Sequence, residues 1–457
     1  MTTNTNTTDN HYILKKLLAK PWRAGIAAVV TAMVLGNPAA AQDRTLTLDE
    51  AIKLGVENSK TLKYSQSKID RAVTQYNQAK DQALPTGSAS FMYSRAQIPA
   101  NRLDLGPDAS FSLPKSANAN LGIVSVEEVI YGGGRLRYAK ESTDLLIQVA
   151  KLDADKDKEQ IALNVVNAYY NLYKVLQSKR VVEQNLKAID QQIHQAQRFF
   201  DQGIVTRNDV LRFQLQRSNV ELNGIELESN RKVINYSLDI LLGLPESTQI
   251  NIDQITNNSL QVAPLASYLD TALTDRQELR TIDLRTRVAE TNIKNVQANK
   301  LPTVAATAGL YYVNASANPF PNSGKFITPL TAGLALNWNF GSLWSNKNKV
   351  AEARVQREQT VIEKGITVDN VKTEVNQNYQ NYLTSVNKIK LLETSIEQAT
   401  ENNRILTSKY ANSTASATDR ADAETLLYQA QINLELAKAD AVLAYYNLLK
   451  ATGKLTK

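Results

Sequence analysis

The chain repeats itself. At an offset of 210 residues Asp209 returns as Asp419, Tyr236 as Tyr446 and Gly243 as Gly453, and Tyr170 and Tyr173 return 209 residues later as Tyr379 and Tyr382. A repeat this long means that one structural unit is used twice within 457 residues, so the fold must be built from two similar halves. The divisions that follow are 42–243 for the first repeat, 244–264 for a linking segment and 265–457 for the second repeat.

Each half carries the same series of signals. Thr47 with Glu50 forms a capping box that opens a helical stretch running to about Ala83, where Pro85 stops it, and Pro302 after Leu301 stops the counterpart. Two segments without helical signals follow each proline, at 86–97 and 118–129, then at 303–314 and 326–338. They read as strands. In the last of them Leu330, Ala332, Leu334, Leu336 and Trp338 alternate with Thr331, Gly333, Ala335 and Asn337, a pattern that suits a wall between two environments. The joining stretches, 98–117 and 315–325, are rich in Pro, Asn, Ser and Gly and read as exposed loops. Each strand has about the 9–11 residues that a tilted strand needs to cross a bilayer. Four strands cannot close a barrel, and an open edge in lipid leaves backbone groups unpaired at several kcal/mol each. If these strands span a membrane, the chain must oligomerise; the plain alternative is two hairpins packed on a soluble domain.

After each strand pair the period changes. Ile161, Val165, Ala168, Leu172, Val175, Lys179, Val182, Leu186, Ile189, Ile193, Ala196 and Phe200 alternate in steps of four and three, and only Lys179 interrupts the apolar row. The same positions in the second half run from Val371 to Tyr410 with three polar lapses, Asn378, Ser385 and Asn403. A sustained period of 3.5 buries against a partner helix by knobs-into-holes packing. From Arg135 to Gln202 an unbroken helix would measure about 100 Å at ~1.5 Å per residue, the length of a tube wall or a rod. Short turns at 201–208 and 411–418 then return the chain, so each half ends in a helical hairpin.

Other chemistry finds little support. Residues 1–41 combine Lys15, Lys16, Lys20 and Arg23 with an apolar run from Ala24 to Leu35 and an Ala39-Ala40-Ala41 cleavage pattern, which reads as an export signal. Removing that segment takes away much of the formal charge of +7, so nucleic acid is not an expected partner. There are no cysteines, and the two histidines, His11 and His194, lack spaced partners, so no metal site, cofactor or catalytic residue is expected. Tyr131-Gly132-Gly133-Gly134-Arg135 follows a strand and opens a helix, but without the remaining residues of a phosphate cradle it reads as a bend.

The segments Leu46-Thr47-Leu48-Asp49-Glu50-Ala51-Ile52, Val129-Ile130-Tyr131-Gly132-Gly133 and Phe200-Asp201-Gln202-Gly203-Ile204-Val205, with Tyr410, Asp419, Asp422, Leu427, Tyr428 and Leu434, resemble the TolC family of outer-membrane efflux proteins. The likeness covers nearly all of the chain beyond the export signal. It implies a mainly α fold with a membrane β-barrel, in which three copies form a twelve-stranded barrel and a helical periplasmic tunnel. It also implies a passive outer-membrane conduit that serves a periplasmic adaptor (membrane fusion) protein and an inner-membrane pump or exporter. A periplasmic coiled-coil adaptor or scaffold is the alternative, but adaptors carry one hairpin flanked by small β domains. The cargo is not legible.

Site residues follow at the hairpin turns. Gly203, Ile204 and Val205 with Ser413, Thr414 and Ala415 form the tips expected to meet an adaptor's helices. The resemblance makes Asp209 and Tyr410 members of a gate latch whose arginine is missing, because Ala415 stands at its place; Arg207 and Arg420 are the nearest substitutes. Asp419 and Asp422, three residues apart, share one helix face, and the resemblance makes them a pore constriction that attracts cations.

Overall fold

The computed structural model describes residues 43–456 apart from 98, 100–101, 108, 113–114, 253–261 and 318–326. The export signal and nearly all of the stretch 315–325 lie outside the described residues. The elements in chain order are β1 (Asp43–Leu46), α1 (Leu48–Asn58), α2 (Lys60–Asp81), β2 (Thr86–Gln97), β3 (Arg102–Gly106), β4 (Ala109–Ser112), β5 (Ser116–Tyr131), α3 (Arg135–Asp201) and α4 (Arg207–Leu242). The remainder are β6 (Gln249–Ile252), α5 (Leu265–Asp275), α6 (Gln277–Ala298), β7 (Thr303–Ala317), β8 (Leu330–Asn337), α7 (Ser342–Ala411) and α8 (Ala417–Ala451).

Thr47 caps α1, its hydroxyl accepting the Glu50 amide at 3.3 Å. The helical stretch expected to run unbroken to Ala83 is instead interrupted at Ser59, which is extended and caps α2 through the Leu62 amide at 3.2 Å. Packing explains the break. Asn58 Nδ2 donates to the Leu242 carbonyl at 2.8 Å, and a Cβ on Gly55 would lie 2.5 Å from Val165 Cγ2, so α1 is pressed against α3 and α4 and the chain turns before continuing along α3. Gly133 and Gly134, at φ +67° and +85°, make the bend from β5 into α3, where Ala298 and Leu301 leave no room for a side chain on Gly133.

The strands form one antiparallel sheet in the order β2-β5-β7-β8. Its register places Phe91 opposite Gly122, Gly122 opposite Tyr312 and Leu310 opposite Leu330. One face thereby gathers Phe91, Val124, Val126, Leu310, Leu330, Leu334 and Leu336, all exposed, while the other mixes Ser88, Ser90, Ser125, Thr307 and Thr331 with Met92, Leu121, Ile123 and Tyr311. An exposed apolar sheet face of this size suits contact with lipid or with another protein surface. Two details differ from the sequence reading. The stretch 98–117 contains the hairpin β3–β4, with Leu103 opposite Phe111, because Gly106 at φ +149° makes the turn. Regular β8 starts only at Leu330, after an isolated bridge from Ile327 to Val313. No described helix is long and apolar enough to cross a membrane.

The long helices are continuous over 67 residues in α3 and 70 in α7. Near the sheet the neighbours run α2–α3–α6–α7, and toward the tips α4–α3–α8–α7. Along the α3 seam Ile161, Val165, Leu172, Val182, Ile189 and Ala196 are buried, and the lapse at Lys179 is answered by Glu228 of α4 at 2.9 Å. Along the α7 seam Val371, Val375, Tyr382 and Tyr410 are buried, while Asn378 and Ser385 bond to carbonyls of their own helix. A second apolar row lies open on α4: Leu211, Leu215, Leu222, Ile225, Tyr236 and Ile240 keep coiled-coil spacing, yet Leu215 and Ile225 are 63% and 64% exposed.

Between the sheet and the tips, β1 and β6 pair in parallel and pack Leu46, Ile250 and Ile252 on Val165, Leu172, Leu238 and Leu242. Asn235 holds this joint, accepting the Ile250 amide at 2.9 Å and donating to the Thr248 carbonyl at 2.7 Å and to Asp239 Oδ2 at 2.8 Å. Asp239 is fully buried, its Oδ1 has no partner, and burial pushes its carboxyl up from 3.8 to about 6. A folded-state value above the unfolded one means that the stability this group contributes is complete below about pH 3.8 and lost as pH rises through about 6. Asp239→Asn should therefore stabilise the protein at pH 8 by on the order of 1–2 kcal/mol and leave it unchanged near pH 4. Thermal unfolding followed by circular dichroism at both pH values checks this, and an equal shift at both would refute it.

Candidate functional site

The hairpin tips are built alike, with one substitution. After α3 the chain turns at Gly203, φ +73°, with the Ile204 amide on the Phe199 carbonyl at 2.8 Å and the Gly203 amide on Phe200 at 2.9 Å, a Schellman closure. After α7 the same bonds run from Thr414 to Lys409 at 2.8 Å and from Ser413 to Tyr410 at 3.0 Å, but Ser413 holds φ +56°. Among the described residues it is the one non-glycine at positive φ. Gly203, Ile204, Ser413 and Thr414 are exposed, and Val205 and Ala415 half-buried.

The returning helices both open with capping boxes whose N-caps, Thr206 and Ser416, stand three residues before the aspartates. Asp209 Oδ2 accepts the Thr206 amide at 2.9 Å and hydroxyl at 2.7 Å, and Asp419 Oδ2 accepts the Ser416 amide at 3.1 Å and hydroxyl at 2.7 Å. The Ser416 hydroxyl and amide hold the Asp419 carboxyl below the usual carboxylate range. Asp422, one turn further on, is exposed and makes no hydrogen bond or ion pair among the described residues. On a helix the two carboxylates lie about 60° apart, so they share one face of α8.

Tyr410 sits inside rather than at the surface. It is buried between Phe199 and Phe213, with ring centroids 5.8 Å away in each case, and its hydroxyl has no hydrogen-bond partner. Burial raises its pKa, with the charge of Asp209 adding to the effect. The protomer thus brings Tyr410 near Asp209 without joining them, because the Asp209 oxygen serves its own helix cap. Within the protomer neither Arg207 nor Arg420 bonds to Tyr410 or Asp209. Arg207 is exposed, and Arg420 projects about 160° round the helix from Asp422, into the protein.

There Arg420 organises a buried cluster that the sequence reading missed. Its Nη1 donates to Glu424 at 3.1 Å and to Asn403 of α7, and Glu424 accepts Asn185 at 3.1 Å and Gln192 at 3.2 Å from α3. Glu424 is 5% exposed and Arg420 7%. One carboxylate thus joins the second hairpin to the first. The signals were the i, i+4 spacing of Arg420 and Glu424 and the lapse at Asn403, which pairs across helices whereas Asn378 and Ser385 bond within theirs.

A duplicated chain whose paired long hairpins hang from a sheet with an apolar outer face and two free edges defines a channel subunit of the barrel-and-tunnel type. The family model for "Outer membrane efflux protein" matches residues 51–244 and 268–454. BepC, an outer membrane efflux protein of Brucella suis, is 21% identical over 443 residues, covering 94% of this chain and 90% of its own. Outer membrane protein TolC of Escherichia coli is 21% identical over 410 residues, covering 87% and 80%. The crystal structure of VceC from Vibrio cholerae superposes with a TM-score of 0.71 at 17% identity, over 89% of this chain and 96% of that one. The chain belongs to the outer membrane efflux protein family, and it is an outer-membrane efflux channel of the TolC type with a helical part on the periplasmic side.

The strained tip can be tested directly. Ser413→Gly removes a left-handed conformation that disfavours a side chain by about 1 kcal/mol, so exchange of the Thr414 amide should slow about fivefold. Hydrogen exchange read by mass spectrometry on the tip peptide measures it, and unchanged exchange would show the turn to be relaxed.

Proposed function

We propose that three copies of this chain form the exit duct of a tripartite export system, closed at the tips and joined there to a periplasmic adaptor that serves an inner-membrane pump or exporter. The observation that carries the reading is the pair of free edges, β2 and β8, on a sheet whose apolar face belongs in lipid. Pairing β8 of one copy with β2 of the next satisfies both edges, and three copies of four strands fall within the size range of closed barrels. The open row on α4 supports the same arrangement, since a heptad row exposed on an edge helix is completed by a helix of a neighbouring copy. No feature of the site calls for a cofactor. In mild detergent the intact protein should have the mass of a homotrimer by native mass spectrometry, and a monomer would overturn the reading.

Within that duct, Asp419 and Asp422 of three copies converge on the axis as a ring of carboxylates, which draws cations and repels anions. Asp422 is the stronger member, because Asp419 also serves its cap. Arg420 does not dilute the ring, being turned inward and paired. Planar-bilayer conductance of Asp419→Asn/Asp422→Asn should show weakened cation selectivity and loss of divalent block; equal block in both proteins would remove these residues from the constriction.

The tips Gly203, Ile204, Val205, Ser413, Thr414 and Ala415 supply the adaptor contact. Gly203 and Ser413 are poor places to test it, since their positive φ confounds any substitution. Ile204→Glu with Thr414→Glu places charge on exposed, unstrained positions and should abolish export at unchanged trimer yield, whereas undiminished export would sink the assignment. Of the latch pair, Tyr410 acts through packing, seated on the second hairpin between Phe199 and Phe213 of the first, while Asp209 holds the start of the returning helix beside it. Tyr410→Ala should raise resting conductance, while Tyr410→Phe, which removes only an unbonded hydroxyl, should leave it closed.

A further inference from the structure

The wall formed by α3, α4 and α8 has two unlike faces. Arg420 and Glu424 lie on one. On the other, Gln429 and Leu436 follow Asp422 at one and two heptads, so they share its side of α8 about 10 and 20 Å further from the tip. On that side a groove of about 710 Å3 opens between α4 and α8, with α3 as its floor. The exposed row Leu211, Leu215, Leu222 and Ile225 lies more than a third of a turn round α4 from the groove residues Asn223, Leu227 and Ile234, with Glu226 between the two, and α3 is flanked on both sides within one protomer.

The lining is amphiphilic and singly charged. Val175 on the floor, Leu227 and Ile234 on α4, and Ile432 and Leu436 on α8 supply an apolar surface with the Tyr428 ring among them, and asparagines alternate along the rims. Only two ionisable acids or bases line it. Lys174 is neutralised by its ion pair with Asp440, whereas Glu226 is exposed and has no hydrogen bond or ion pair among the described residues. A space of this volume holds one drug-sized molecule, and its chemistry asks for a flat apolar body with one positive charge.

We propose that this groove binds amphiphilic organic monocations in transit, Glu226 holding the charge and the Leu227–Ile432–Leu436 surface the apolar body. The proposal rests on the duct reading, because it needs the Asp422 side of α8 to face the lumen. A molecule drawn to the carboxylates of Asp419 and Asp422 then meets a surface that accepts it once its water is shed. Small inorganic cations gain nothing from that apolar surface, so the groove distinguishes organic from inorganic cations where the carboxylate ring does not.

Photolabelling of the intact protein in lipid nanodiscs with ethidium monoazide, a planar monocation, tests the proposal. Label mapped by peptide mass spectrometry should fall on 223–234 and 425–436, and Glu226→Gln should raise the half-saturating concentration about five- to tenfold, the scale of one lost charge-assisted contact. Leu436→Asn should weaken labelling similarly, and Glu226→Asp should restore most of it. Glu226 is exposed and unpaired, so its substitution leaves folding intact; trimer yield and circular dichroism verify this. Label elsewhere, or equal labelling of wild type and Glu226→Gln, overturns the proposal. The same preparations in planar bilayers separate the two readings: conductance without groove labelling defeats the groove alone, while groove labelling without conductance defeats the duct.

Discussion

Backbone hydrogen bonding in hydrocarbon is the constraint on which the rest of this structure depends. Along β2 and β8 no further strand among the described residues pairs with the outer row of amide and carbonyl groups, although the same sheet turns an apolar face outward. In water such edges bond to solvent; in lipid each unpaired group is several kcal/mol unfavourable. In the proposed trimer other copies supply the strands that these edges lack, and the open apolar row of α4 is the matching sign in the helical half.

The length of the helices follows from the same division of labour. A barrel wall crosses the membrane in a dozen residues, while α3 and α7 continue for 67 and 70 residues. No thick core supports them. Their burial is one seam wide, a row of Ile, Val, Leu and Ala on α3 answered by α4 and α8, and aliphatic and aromatic side chains gather in depth at the β1–β6 joint and around Val371, Val375 and Tyr382, where α5 packs on α7. Polar residues in such a seam each have to be answered. Lys179 has Glu228 and Asn403 has Arg420, so these two lapses mark where helices are tied, whereas Asn378 and Ser385 are answered by carbonyls of their own helix.

Much of this was legible in the sequence because it rests on period and order. Alternation at Leu330–Trp338, the four-and-three steps from Ile161 to Phe200 and the return of Asp209 as Asp419 each reflect a geometry that repeats. What was not legible is set by single contacts between distant segments. The break at Ser59 depends on Asn58 reaching Leu242, the β3–β4 hairpin on Gly106, and the β1–β6 pair on two four-residue strands too short to show a pattern. The site divides in the same way. The exposed positions of Asp422 and the tips follow from helix geometry, but the burial of Tyr410 and the inward turn of Arg420 depend on which helix lies alongside, which one chain's sequence does not print.

The placement of charge around Arg420 shows how these levels combine. A buried ion pair contributes little net stability, because desolvation offsets the attraction, but removing one partner of it is strongly unfavourable. Glu424 has Arg420 on its own helix and carboxamides of Asn185 and Gln192 on α3, so its charge is satisfied only while α8 and α3 keep their register. The aromatic seat of Tyr410 between Phe199 and Phe213 demands the same register with no charge at all. Two unlike interactions, one polar and one apolar, therefore tie the same pair of hairpins within a few turns of the tips. Arg420, two residues before Asp422, is committed to that interior, and Asp422 on the other side of α8 is left without a hydrogen bond or ion pair among the described residues.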